Sequence, residues 1–290
     1  MFKKIMIFAV TLLAFLSLAA VNVQLIELKP GDEAAKKAYF ASKCYLWGTK
    51  EYRVSPDKYN AVLIMSNDKV RYAFHLAGKM VGGKAVNVEV GMIKPSHFQW
   101  YAGGFFKITS GKKNLSQGSF AVKEIKSGAK GEAVLEYSGG ALNGRVTLTL
   151  HDNDDKLGFL FTPADKKGRY MVALSAYPGH YGTAKLRKRV MYTNLGKVQG
   201  NVKRVTPQDH YAVFGDEYYD RAHNRGDGCC AFLYNPKQVL EGSSIRSGYG
   251  CTAYLYMVPG AEAAFVFWDF KGKSLQQALE YMKTLKVKFD

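Results

Sequence analysis

The feature that most constrains this chain is a period of two. "VRYAFHLAG" sets Val70, Tyr72, Phe74 and Leu76 on one face, and "AVNVEVG" alternates at Val86, Val88 and Val90. "GRVTLTLHDNDDKLGFLFTP" holds two such runs around an Asp/Asn turn, with Val146, Leu148 and Leu150 in the first and Leu157, Phe159 and Phe161 in the second. "GRYMVALSAYP", "HYAVFGD" and "AAFVFWDF" repeat the pattern. Successive side chains of a strand point to opposite faces, so apolar alternation marks strands with one buried face. Turn signals such as "SGG", "LNG", "YPG" and "VPG" separate the runs. The expectation is an all-β fold, a large antiparallel β-sandwich.

Helix is scarce. A helical turn is expected after Asp32, but "AYFASKCYLWG" also alternates and leaves its end open. The clear helix is terminal, over 274–285. Ser274 and Gln277 form a capping box, and Leu275, Leu279, Met282 and Leu285 form a stripe that should pack on the sandwich. No linker or fixed-period repeat interrupts 21–290, which predicts a single domain; a division near 166–168 is the alternative.

The chain starts "MFKK" and continues "IMIFAVTLLAFLSLAAV". A charged start before an apolar run predicts a signal peptide over 1–20, cut after Ala19 or Ala20. The same run is long enough to serve as an uncleaved anchor. Export to the periplasm, the cell surface or the medium is expected, with no membrane span once the leader is cut. The net charge is +17, and losing Lys3 and Lys4 with the leader leaves +15. Such an excess attracts polyanions. For an exported protein that predicts an anionic polysaccharide or cell-surface glycan as partner and no nucleic acid; a charge that serves only solubility is the alternative. Four cysteines suit an oxidising compartment. "CCAFLYNP" and "GYGCTAYLYMVPG" read as neighbouring strands, which predicts a disulfide from Cys251 to Cys229 or Cys230. No metal-binding spacing is found and no cofactor is expected.

Three segments concentrate chemistry. In "GDEYYDRAHNRGDGCC", Asp216, Asp220 and His223 could converge on a metal or form a proton-transfer pair. Against this stands a solvated loop whose acids pair with Arg221 and Arg225. In "KPSHFQWYAGGFF", Trp100 and Tyr101 could stack on sugar rings beside paired glycines, or pack into the core. In "AYPGHYGTAKLRKR", Lys185, Arg187 and Arg189 would share one strand face as a comb for an extended anion, or shield an edge strand. Polysaccharide lyase chemistry would draw its base from His180, Tyr181, Tyr219 or His223, with Arg or Lys neutralising the uronate. A non-catalytic cell-envelope role is the third class. No nucleophile elbow, zincin, P-loop or dinucleotide motif occurs, so whether the chain is an enzyme stays open.

The run of strands, "WYAGGFF" and "AAFVFWDFKGKSLQQALEYM" together resemble the galactose-mutarotase-like supersandwiches of secreted carbohydrate-active proteins. The resemblance implies a large sandwich and a carbohydrate setting. The His and Glu motifs of sugar epimerisation are not found, so no catalytic residues carry over.

Overall fold

The structure, a computed structural model, describes residues 20–46, 55–97, 99–179, 188–218 and 228–285. Among these residues the chain forms nineteen strands and two α-helices. The first part contains β1 (Asn22–Glu27), α1 (Glu33–Ser42), β2 (Lys58–Ser66), β3 (Arg71–Val81), β4 (Lys84–Lys94), β5 (Phe106–Ser110) and β6 (Lys113–Asn114). The middle contains β7 (Ser119–Lys126), β8 (Lys130–Ser138), β9 (Gly144–His151), β10 (Leu157–Pro163), β11 (Met171–Ala176), β12 (Arg189–Thr193) and β13 (Gly196–Lys197). The last part contains β14 (Val202–Arg204), β15 (Tyr211–Asp216), β16 (Cys230–Tyr234), β17 (Ser244–Ser247), β18 (Cys251–Tyr256), β19 (Ala263–Asp269) and α2 (Leu275–Thr284).

The strands form the expected sandwich. A 13-stranded sheet runs β1-β2-β3-β4-β7-β8-β9-β10-β19-β16-β15-β12-β13, and a 6-stranded sheet runs β14-β17-β18-β11-β5-β6. The β9–β10 hairpin turns as read from sequence, with Asn153 at φ 58, and its six alternating apolar residues are all buried. The large sheet also curls on itself. The tip of the β7–β8 hairpin returns to the start of β1, where Val21 and Gly128 exchange backbone hydrogen bonds of 2.7 and 3.0 Å. Gly131 permits this approach, because a Cβ there would lie 2.3 Å from a Val21 methyl.

Trp100 stands at the centre of the core, fully buried. Its ring meets Phe267 edge-on at 4.9 Å and touches Phe105, Phe214 and Phe232, and its indole N–H donates to the Trp268 carbonyl at 3.1 Å. Two smaller clusters lie outside the sandwich interior. α1, capped by Asp32 and ended by Lys43 in the left-handed region, covers Val62, Ile64 and Ala73 and hydrogen-bonds Tyr39 Oη to His75 Nε2 at 2.9 Å. α2 starts with the predicted Ser274–Gln277 capping box and buries Ala278 and Met282 against Trp268 and Phe270. No helix among the described residues is long and apolar enough to cross a membrane.

Candidate functional site

One end of the sandwich gathers much of the chemistry that the sequence singles out. β12 opens with Arg189 directly opposite Asp216, the last residue of β15. Their side chains are 3 % and 0 % exposed and form an ion pair at 3.2 Å. The second Asp216 oxygen accepts the backbone N–H groups of Lys188 (3.2 Å) and Tyr218 (3.0 Å). Both oxygens are therefore engaged within the chain, which corrects the view of Asp216 as an open loop ligand for a metal; Arg221 and Arg225 lie outside the described residues. Arg189 is corrected too. A buried guanidinium needs a counter-charge, and the adjacent strand supplies one, so Arg189 is an internal ion-pair member and not a tooth of an exposed comb.

Trp100 requires a correction of the same kind. The loop that carries it is drawn into the sandwich end: Ser96 donates from its N–H (3.2 Å) and hydroxyl (2.9 Å) to Asp269, and the Cys230 thiol donates to the Gln99 carbonyl at 3.1 Å. The indole is thereby spent on packing and cannot stack on a sugar.

The expected bridge from Cys251 is not made in this structure, where Cys230 and Cys251 stand as thiols. β16 and β18 are not paired as the sequence suggests: one lies in the large sheet and the other in the small sheet. Burial pushes the Cys251 thiol up to about 12 and raises Cys230 as well, where the nearby Asp269 carboxylate adds to the effect. Such thiols are poor nucleophiles.

The sheet positions flanking 180–187 and 219–227 are tied together by Gly179 N–H to Gly228 O (2.9 Å) and Glu217 N–H to Lys188 O (3.0 Å). His180, Tyr181, Lys185, Arg187, Tyr219, Asp220 and His223 lie outside the described residues. Glu217 accepts from Lys188 and from Lys197 (2.7 Å), and these lysines hold its carboxyl below the usual range.

Tyr101, next to Trp100, has the opposite fate. Its N–H donates to Ser175 O at 3.0 Å, which fixes it beside the end of β11, and 37 % of it is exposed. Its ring meets Tyr177 at 5.1 Å, and Tyr177 meets Tyr249 at 5.7 Å, making a row of three tyrosines. Gly103 leaves space for the Tyr101 ring, since a Cβ there would fall 2.9 Å from it.

This row borders the outer face of the small sheet. The register aligns Arg204, Ser244, Tyr254, Ala173 and Lys107 across five strands. A second row joins Val202, Arg246, Thr252 and Ser175, and a third joins Tyr256, Met171, Thr109 and Asn114. Their strand neighbours Ile245, Leu255, Val172, Leu174 and Ile108 are buried inward, so these rows face out. They hold two arginines, a lysine and two tyrosines and no carboxylate. The Arg246 guanidinium lies over the Tyr254 ring at 5.2 Å. Small side chains on β11, Ala173 and Ser175, leave a shallow track with a depression at each end. One, of about 210 Å³, is lined by Tyr101, Lys107, Ser175 and Glu89; the other, of about 470 Å³, by Met171, Tyr256, Arg169 and Glu241.

Tyr177, Tyr249, Tyr254, Tyr256, Arg204, Arg246 and Lys107 were not singled out from sequence. The alternation of Tyr254 and Tyr256 in "CTAYLYM" was a usable signal. Comparison of the chain with models of known protein families found no match, and comparison with curated protein sequences found none either.

Proposed function

We propose that the protein is an exported carbohydrate-binding protein whose small-sheet outer face takes an acidic glycan. The observation that carries this is the set of aligned rows on that face, where Arg204, Arg246 and Lys107 stand among Tyr254 and Tyr256 with no carboxylate in the rows. Arginine forks suit carboxylate and sulfate, and tyrosine faces suit the apolar faces of sugar rings. The Met171–Ser175 track is about 13 Å long at the ordinary strand rise, room for an oligosaccharide rather than one sugar. The excess of basic residues draws a polyanion to the surface, and the leader-like start of the sequence supports export.

The test is affinity electrophoresis in gels containing alginate, pectate or a sulfated glycan. The parent protein should be retarded, and retardation should fade as salt rises, because exposed charges are screened over about 8 Å at physiological ionic strength. Arg204→Ala/Arg246→Ala should bind at least about ten-fold more weakly, as expected for loss of charge-assisted hydrogen bonds. Equal retardation of parent and double variant in every gel would overturn the proposal.

A further inference from the structure

We infer that the protein has a second ligand site, a cleft for an amphipathic anion, where the two limbs of the large sheet separate. β4 and β7 share only two paired positions, Ala85 with Phe120 and Val86 with Ser119. Beside this short seam lies a cavity of about 620 Å³, within the roughly 300–1,000 Å³ range of small-molecule sites. Leu28, Tyr59, Met80, Phe120 and Val122 give it apolar walls, and the Tyr59 and Phe120 rings touch at 5.7 Å.

The charges around the cleft do not balance. Lys29, Lys58, Lys84 and Lys123 line it, with only Glu27 and Glu136 against them. Both acids are already engaged. Glu27 meets Lys29 at 3.3 Å and accepts the Tyr59 hydroxyl at 3.2 Å. Glu136 meets Lys123 at 3.2 Å and Arg145 at 3.0 Å. Among the described residues Lys58 and Lys84 have no carboxylate within ion-pair distance. An apolar hollow with two uncommitted ammonium groups complements a ligand with an apolar body and one anionic head. A fatty carboxylate has that chemistry: its chain would replace water along Tyr59, Met80, Phe120 and Val122, and its head would meet the lysines. A polar glycan would gain little from these walls, so this site is separate from the small-sheet face.

Titration calorimetry of the full chain with dodecanoate tests the inference, with dodecyl maltoside as the uncharged control. Saturable binding of dodecanoate, clearly tighter than that of the maltoside, is expected. Lys58→Ala/Lys84→Ala should weaken dodecanoate about ten-fold. Ala121→Trp, which fills the cleft from its half-buried wall, should abolish binding; should that variant unfold, the two lysine positions are exposed and keep the test valid. No saturable uptake, equal uptake of both amphiphiles, unchanged affinity in the lysine variant, or displacement of dodecanoate by oligogalacturonate would each overturn it.

Discussion

Trp100 and Tyr101 are adjacent in sequence and opposite in role. Trp100 is enclosed by four phenylalanines, while Tyr101 turns outward into a tyrosine row. Two arginines repeat the contrast. Arg189 is buried against Asp216, and Arg246 is exposed over Tyr254. Aromatic and guanidinium groups thus build both the inside of this protein and its proposed recognition face. The inside residues are committed to partners in the chain. The outside residues keep a ring face or a fork turned to solvent, and only these can act on a ligand.

The largest effects should come from the inside members. Asp216→Ala takes the opposing carboxylate from a buried guanidinium and should cost about 3–5 kcal/mol. Trp100→Ala opens a cavity between both sheets and should cost about as much. Urea unfolding measures both. Replacing the ion pair as a unit, Arg189→Met with Asp216→Leu, should recover most of the loss, because the charges and their desolvation penalty leave together. A stable Asp216→Ala variant would mean that Arg189 does not depend on Asp216 for its place in the fold.

His75 extends the comparison to pH. Burial holds its imidazole down at about 4 against an ordinary 6.5. The unfolded chain therefore binds the proton more readily, and stability falls as pH drops from about 6.5 towards about 4, while it is full above that window. The loss should approach about 3 kcal/mol at the lower limit. Carboxylates contribute to any acid unfolding, so the measurement is the difference in urea midpoint between parent and His75→Gln across that window. An identical pH dependence in both would remove His75 as the cause.

Much of the fold was legible because alternation is a local signal. The β9–β10 hairpin and the capped terminal helix stand where they were expected, since turn, cap and stripe all lie within a few residues of each other. What was not legible depended on pairing at a distance. Cys230 and Cys251 sit in strands that look consecutive in sequence, yet β19 claims the first and β11 the second. Arg189 gave no sign that Asp216 would stand opposite. The outer face of the small sheet gathers residues from 107 to 256, and no short window contains it. Alternation tells which residues share a face of one strand, but not which strands share a sheet.

A smaller effect belongs at the margin between inside and outside. Ser274 accepts the Gln277 N–H at 3.2 Å and its own N–H is answered by the Gln277 side chain at 2.8 Å. Ser274→Ala should cost about 1 kcal/mol. Amide exchange in α2 should quicken more than in the Trp100 core, because a helix docked on one face can open locally. Uniform quickening throughout the protein would show that α2 and the sandwich unfold as one unit.

The smallest expected change in stability tests the outside most sharply. Arg246→Lys keeps the charge but loses the planar fork and its stacking on Tyr254. Exposed substitutions of this kind usually stay within about 0.5 kcal/mol of the parent in stability. Affinity for an acidic glycan should nevertheless drop a few-fold, less than on removal of Arg204 and Arg246 together, because one ammonium cannot grip a carboxylate at two points. The paired measurement is a urea midpoint beside a calorimetric titration with oligogalacturonate. An unchanged midpoint with weakened binding assigns Arg246 to recognition. Should the midpoint fall while binding holds, the stack on Tyr254 is a structural brace, and Arg246 joins Arg189 among the residues committed to the fold.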